Sequence, residues 1–125
     1  MQRKFDSQFE DNLIMKLTFE FALKVIDYVE LLESKRKYVI ANQLLKSATS
    51  IGANIREAQN AESLADFIHK FKVSAKEADE TKFWLLLCNF SKSYPDCDEL
   101  NEKLEHIQKT INKIISSSKK SIGKE

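Results

Sequence analysis

Apolar residues recur along this chain at steps of three and four, which is the spacing of one face of an α-helix. The first such segment covers residues 13–34, and its regularly spaced apolar residues are Ile14, Phe21, Val25, Tyr28 and Leu32. Further apolar residues lie between them, more than a single buried face requires. The pattern therefore predicts a first helix over residues 13–34 that is covered on more than one side.

A second helix is predicted over residues 38–60. Its apolar residues follow alternating steps of four and three, and they are Leu44, Ala48, Ile51, Ile55 and Ala58. Several residues in this segment are small, which allows a neighbouring helix to approach closely. Gly52 lies inside the segment, where glycine costs about 1 kcal/mol relative to alanine. We expect a packing reason for Gly52 rather than a break in the helix.

A third helix is predicted over residues 63–91, ending before Pro95. Ser63 is a natural N-cap, and Asp66 stands three residues later as the acid of a capping box. The predicted core-facing residues are Leu64, Phe67, Phe71, Ala75 and Ala78. Residues 83–90 are apolar on nearly every side, which indicates either the central helix of a bundle or a helix covered by a second subunit.

A fourth helix is predicted over residues 96–116, with acidic residues in its first turns and lysines later, as the helix dipole favours. After that point the apolar spacing stops, so residues 117–125 are expected to form a polar tail that is frayed or disordered. Four helices with short connections bury their apolar faces most simply as an antiparallel up-down four-helix bundle. We therefore predict one all-α domain over residues 1–125.

Composition agrees with an all-α protein and narrows the functional classes. The 125 residues are 42% hydrophobic and 31% charged, which argues against intrinsic disorder. Two glycines and one proline are too few for a sheet-rich fold or a phosphate-cradling loop. The formal net charge of +1 gives no overall field that attracts nucleic acid. Because no leader, disulfide pattern or membrane-length apolar segment is found, we expect a cytoplasmic protein without a membrane partner.

No combination of residues indicates catalysis or metal binding. A two-iron bundle needs paired Glu-x-x-His motifs, whereas the nearest match is Asp66 with His69. Glu77 and Glu80 lie one turn apart, yet this spacing is more typical of solvated ion pairs than of catalytic carboxylates. Glycine-rich nucleotide-binding motifs are lacking as well. We therefore expect no enzymatic activity, no metal, no cofactor and no small-molecule substrate.

Two lines of polar residues follow helical spacing beside the apolar faces. Their members are Ser50, Asn54 and Glu57 on the second helix, and Lys76, Glu80 and Trp84 on the third. Such lines can form hydrogen-bond networks that fix helix packing or subunit contacts, or they can form a ligand-binding surface. We favour the structural role for both lines.

Basic residues concentrate at two places in the chain. They are Lys35, Arg36 and Lys37 after the first helix, and Lys113, Lys119 and Lys120 near the C-terminus. Contacts from lysine and arginine to phosphates supply much of non-specific nucleic-acid affinity, although basic helix ends also serve solubility. A nucleic-acid-binding protein that uses both groups of residues is our second hypothesis.

Three segments of the second and third helices resemble a known family. They are residues 47–58, SATSIGANIREA, residues 67–70, FIHK, and residues 76–85, KEADETKFWL. In this order and separation they are similar to the bacterial four-helix bundle family, also called the 23S ribosomal RNA intervening-sequence proteins. The resemblance covers residues 47–85 closely, and the first and fourth helices agree with it in length and pattern only.

The resemblance implies an up-down four-helix subunit that assembles as a closed ring, typically a homopentamer. A related branch, the accessory proteins of diversity-generating retroelements, forms basic pentamers that bind a reverse transcriptase and nucleic acid, whereas this chain is almost neutral. The family supplies no catalytic residue to carry over. Our first hypothesis is therefore a non-enzymatic, ring-forming assembly or adaptor protein whose partner is RNA or a ribonucleoprotein. The two polar lines would then organise packing and subunit contacts.

Overall fold

The computed structural model describes residue 9 and residues 12–123. This part of the chain forms four α-helices and no strand, as the spacing of apolar residues predicts. The helices are α1 (Leu13–Ser34), α2 (Tyr38–Ala58), α3 (Leu64–Phe90) and α4 (Asp98–Gly123). None of these described helices combines the length and apolar character needed to cross a membrane.

The helices pack as an antiparallel bundle in which each helix has two main neighbours. α2 packs against α1 and α3, and α4 packs against the same two helices from the other side. The connections are short, at residues 35–37, 59–63 and 91–97, so consecutive helices run in opposite directions. α1 and α3 therefore lie diagonally across the bundle from each other. The predicted all-α four-helix bundle is confirmed.

The core lies along the axis of the bundle and receives residues from all four helices. Its largest fully buried apolar side chains are Phe21, Val25, Leu32, Leu44, Ile51, Ile55, Phe71, Leu85, Leu104, Ile107 and Ile111. In α1 and α2 every predicted core-facing residue is buried. In α3 the prediction is only half right, because Leu64, Phe67 and Ala75 are half-buried while the buried face continues toward Leu85.

Two helix starts illustrate how local sequence fixes the ends of the helices. Ser63 caps α3 as predicted, since its side chain accepts a hydrogen bond from the backbone N–H of Asp66 at 3.0 Å. Asn12 caps α1 by accepting from the Met15 N–H at 3.2 Å, and its amide donates to Gln59 Oε1 at 3.0 Å. Asn12 therefore also ties the start of α1 to the end of α2.

The C-terminal part of α4 differs from the sequence prediction. The helix begins at Asp98 and continues to Gly123, so residues 117–123 are helical rather than a frayed tail. Because each added helical residue gains one backbone hydrogen bond, a polar segment without proline can extend a helix that is already formed. Ile115, just before this extension, packs against the core, and Ser118 within it is half-buried. Residues 124 and 125 lie outside the described part.

Gly52 has the packing reason that its position in a helix predicts. α2 continues through it without a break. A Cβ atom at this position would lie 3.3 Å from the Oγ1 atom of Thr18 in α1. Thr18 is itself buried and donates its hydroxyl to the carbonyl of Ile14 at 2.9 Å. The missing side chain therefore lets α1 and α2 approach closely at this level of the bundle.

Candidate functional site

The predicted polar line on α2 bonds mainly to its own helix. Ser50 Oγ donates to the Lys46 carbonyl at 2.8 Å, and Asn54 Nδ2 donates to the Ser50 carbonyl at 2.8 Å. Glu57 reaches α3, with its Oε1 atom 3.8 Å from the Lys70 ammonium. Only Glu57 of this line therefore makes a polar contact with another helix within the described residues.

The predicted line on α3 separates into two environments. Lys76 and Glu80 are exposed, and neither side chain makes an ion pair or hydrogen bond with any other described residue. Trp84 is half-buried and packs against the core, with the Phe83 aromatic ring edge-on at 5.2 Å. Its indole N–H is buried and has no hydrogen-bond partner among the residues that the structure describes. Trp84 thus contributes to helix packing mainly through its apolar area.

This environment gives a direct test of how Trp84 acts. We expect Trp84→Ala to lower the free energy of unfolding by about 2 kcal/mol, because a half-buried indole leaves a smaller cavity than a fully buried one. Trp84→Phe should cost less than about 1 kcal/mol, because it keeps an aromatic ring and removes an N–H that lacks a partner. Urea unfolding followed by circular dichroism measures both. Equal losses would mean that the indole N–H does have a partner.

A polar network that the sequence analysis missed connects α2 to α3 inside the core. The hydroxyls of Thr81 and Ser47 are hydrogen-bonded at 2.9 Å, and Ser74 Oγ donates to the Ile51 carbonyl at 2.9 Å. All three hydroxyl-bearing side chains are buried. Because a buried hydroxyl is costly without its partner, these bonds fix the relative position of the two helices. Ser74 and Thr81 share helical spacing with Leu85, a signal that could have placed them on the core face.

A second buried polar cluster joins α1 to the connection between α3 and α4. Tyr28 donates its hydroxyl to the Pro95 carbonyl at 2.7 Å, and Cys97 Sγ donates to the Leu85 carbonyl at 3.3 Å. Cys88 and Cys97 are free and buried. Burial raises the pKa of both thiols, that of Cys97 to about 11, and burial also raises the pKa of Tyr28. These groups stay protonated and act as packing groups rather than nucleophiles.

Two exposed apolar surfaces remain once the core is accounted for. The α1 face consists of Phe19, Leu23 and Ile26, and Leu23 is 44% exposed. Their spacing of four and three places them along one side of the helix, away from the buried residues Phe21 and Val25. Phe9, which precedes the helix, packs on Phe19 with ring centroids 5.1 Å apart. The α1 face therefore contains apolar residues that the first helix has beyond those needed for one buried side.

The second apolar surface lies on the last two turns of α3. The α3 face consists of Phe83, Leu86, Leu87 and Phe90, with Phe83 54% and Phe90 82% exposed. α3 is therefore not a central helix, and none of the residues that the structure describes covers this side of it. Of the two interpretations of residues 83–90, burial at the centre of the bundle is excluded. Cover by a second subunit stays a prediction, and an exposed apolar surface of this kind is typical of an interaction site.

The α3 face begins level with the C-terminal part of the α1 face and extends beyond it along the bundle. Lys24 of α1 pairs with Glu99 at 3.0 Å, and Tyr28 one turn later bonds to Pro95. Cys97, between those two positions, bonds to the Leu85 carbonyl of α3. Leu85 is therefore level with residues 24–28. Since α1 and α3 are diagonal, the two faces point away from the bundle in opposite directions.

The two basic groups do not come together in the folded chain. Lys37 lies with its ammonium 5.2 Å from the centroid of the Tyr94 ring, so residues 35–37 sit beside the start of α4. Lys119 and Lys120 lie near the end of α4. At 1.5 Å per residue, about 33 Å of helix separates Asp98 from Lys120. A continuous basic patch built from both groups is therefore not formed within one chain.

A cavity with a volume of about 390 Å³ lies between α1 and α2. Its walls are mainly apolar or small side chains, and its one charged lining residue is Arg56. The described residues contain no group of three or more histidine, cysteine, aspartate or glutamate side chains that could hold a metal ion. The strongest surface features of this part of the chain are therefore the two apolar faces and the lysines of α4.

Comparisons with known proteins agree with the architecture. The family model for the 23S rRNA-intervening sequence protein matches residues 10–113. A crystal structure from Bacteroides thetaiotaomicron, of a protein with unknown function from the S23 ribosomal protein family, is 37% identical to this chain. It superposes with a TM-score of 0.78 over 82% of this chain and 97% of that one. No curated protein matches the sequence.

Proposed function

The chain belongs to the 23S rRNA-intervening sequence protein family, and from that premise we propose that it is a non-enzymatic assembly protein whose copies join into a closed ring. In this assembly the α3 face of each copy packs on the α1 face of the next. The observation that carries the proposal is the pair of exposed apolar faces on diagonal helices that overlap in height. Contiguous apolar surface of this kind on a small protein marks an interaction site.

The positions of the faces favour a ring over a dimer. A twofold dimer pairs a surface with itself and would cover only one of the two faces in each contact. A contact between two different faces leaves one of each free and continues until the rotation closes. Because the two faces overlap in height, the α3 face of one copy can contact the α1 face of the next, and a tilt of the subunits relative to the ring axis would let the contacts close. The family resemblance implies five subunits.

The charges beside the faces favour pairing of α1 with α3. Residues 19–33 of α1 contain four acids and one lysine, a net charge of −3. Two α1 faces would therefore repel each other. Residues 72–87 of α3 contain three lysines and three acids, and the lysines Lys76 and Lys82 are exposed. These lysines can lie opposite the acidic residues of α1 in the neighbouring copy.

The direct test is the mass of the purified protein in solution. We expect multi-angle light scattering to give a mass of several times the 14.5 kDa subunit, near five subunits if the family resemblance extends to the number of copies. Because the contact is mainly apolar, the mass should not fall when the salt concentration is raised. A mass of one subunit, or of two subunits at every concentration, would contradict the proposed ring.

A further inference from the structure

The lysines of α4 form a further surface, on which most of the positive charges have no ion pair with a described residue. Residues 98–105 contain four acids and one lysine, whereas residues 106–123 contain four lysines and no acid. The sequence predicts a frayed tail from residue 117 onward, but the structure continues the helix to Gly123. We propose that this basic half of α4, residues 106–123, binds the phosphate backbone of nucleic acid.

The lysines in the basic half of α4 are available for phosphates. Lys113, Lys119 and Lys120 are exposed and make no ion pair with any residue in the described ranges. Lys109 pairs with Glu105 at 3.2 Å one turn earlier, and an exposed pair of this kind is worth little and can exchange for a phosphate. The helix holds these cations in fixed relative positions, so binding does not have to order a flexible tail.

The other side chains of this segment favour nucleic acid over a membrane surface. Hydroxyl and amide groups donate hydrogen bonds to phosphate oxygens, and exposed groups of this kind lie between the lysines at Asn112, Ser116 and Ser117. Its isoleucines at 114 and 115 are half-buried against the bundle, and Ile122 is the one isoleucine of the segment that is exposed. A helix lying on a membrane would instead turn a broad apolar side outward.

The basic residues between α1 and α2 lie close to acidic residues, unlike those in the basic half of α4. Lys37 lies over the Tyr94 ring, and the start of α4 beside it carries Asp96, Asp98 and Glu99. These carboxylates lower the positive potential around Lys35, Arg36 and Lys37, although Glu99 is also paired with Lys24. The structure therefore assigns nucleic-acid contact to α4 alone, rather than to both basic groups together.

The proposed ring would strengthen this binding, and in this respect the inference rests on the proposed function. Rotation about an axis parallel to the helices puts the same end of every subunit on the same side. All copies of the basic half of α4 would then lie on one side of the ring. Several weak sites in a fixed arrangement bind a long polyanion much more tightly than one site does. A chain of near-zero net charge can in this way hold nucleic acid.

Two variants that each remove three cations provide the test. One is Lys113→Gln with Lys119→Gln and Lys120→Gln, and the matched control is Lys35→Gln with Arg36→Gln and Lys37→Gln. Fluorescence anisotropy with a labelled uridine oligonucleotide measures the Kd at about 50 mM and about 200 mM salt. We expect the α4 variant to bind at least about tenfold more weakly at low salt and with a smaller salt dependence. The control should stay within about twofold of the wild type.

Light scattering of the same samples separates this inference from the ring. If the α4 variant loses RNA binding while the wild type has the mass of a single subunit, the proposed binding by the basic half of α4 is supported and the proposed ring is wrong. Absence of binding by the wild type at low salt would overturn the inference, as would equal losses in the two variants. Polyglutamate carries carboxylates but no phosphates. If it displaced the labelled oligonucleotide as effectively as unlabelled RNA does, a site for phosphates would be contradicted. Equal binding to anionic vesicles would likewise replace nucleic acid with a membrane as the partner.

Discussion

Replacing either Leu23 or Leu87 by glutamate is expected to convert the proposed ring into single subunits. Each residue lies inside one of the two apolar faces, and each is about two-fifths exposed in the single chain. The fold can therefore accept a carboxylate at either position while the subunit contact cannot, since burying an unpaired charge costs several kcal/mol. The expected result is a mass of one subunit by light scattering, with unchanged helix content by circular dichroism.

Mixing the two variants distinguishes contact between different faces from contact between identical ones. Leu23→Glu retains an intact α3 face, and Leu87→Glu retains an intact α1 face. If the proposed contact joins α3 to α1, the intact α3 face of the Leu23→Glu copy can pack on the intact α1 face of the Leu87→Glu copy. The two faces that remain free in this pair both carry a substitution. The mixture should then have the mass of two subunits and should not grow further. A mixture that stays at one subunit would show that the contact uses other surfaces.

Val39 supplies the matched control for these two substitutions. It is an apolar residue that is 75% exposed on α2, outside both faces. Val39→Glu introduces the same charge at an exposed apolar position and should leave the mass of the assembly unchanged. If Val39→Glu also produced single subunits, the loss of assembly would reflect added negative charge rather than damage to a particular face. If neither leucine variant changed the mass, the proposed contact would be wrong.

The fold could be predicted because local signals and burial agree along most of the chain. In α1 the regularly spaced residues from Ile14 to Leu32 are all buried, and Ser63 caps α3 as its sequence context indicates. The prediction was weaker where polar residues enter the core. Ser74 and Thr81 were not identified, because their burial depends on partners in α2 that only the packed structure supplies.

The candidate surfaces were only partly accessible from the sequence. An excess of apolar residues in α1 and α3 was visible, but the overlap of the two faces in height depends on contacts such as that between Cys97 and Leu85. The polar line at Ser50 and Asn54 shows the opposite case, because helical spacing aligned these residues although their side chains bond to their own helix. Spacing along one helix therefore identifies a shared side but not what lies opposite it.

The two sides of α3 should respond in opposite ways to the same substitution. Phe71 is 1% exposed and packs on Phe67 with ring centroids 4.6 Å apart, whereas Phe90 projects into solvent at the far end of the helix. We expect Phe71→Ala to lower the free energy of unfolding by about 3–5 kcal/mol through the cavity that it leaves. Phe90→Ala should change the unfolding free energy by less than about 0.5 kcal/mol.

Both stabilities are best measured in the Leu23→Glu variant, because unfolding of a ring would also include dissociation and would depend on concentration. The chain has one tryptophan, so the emission of Trp84 during urea unfolding reports the transition. With Leu23 intact, Phe90→Ala should instead weaken assembly, which light scattering at decreasing concentration detects. Similar destabilisation by both substitutions would mean that the outer side of α3 stabilises the subunit itself, and the α3 face would then lose its assignment as a contact between copies. Separate effects would mean that one helix stabilises the subunit with its inner side and joins subunits with its outer side.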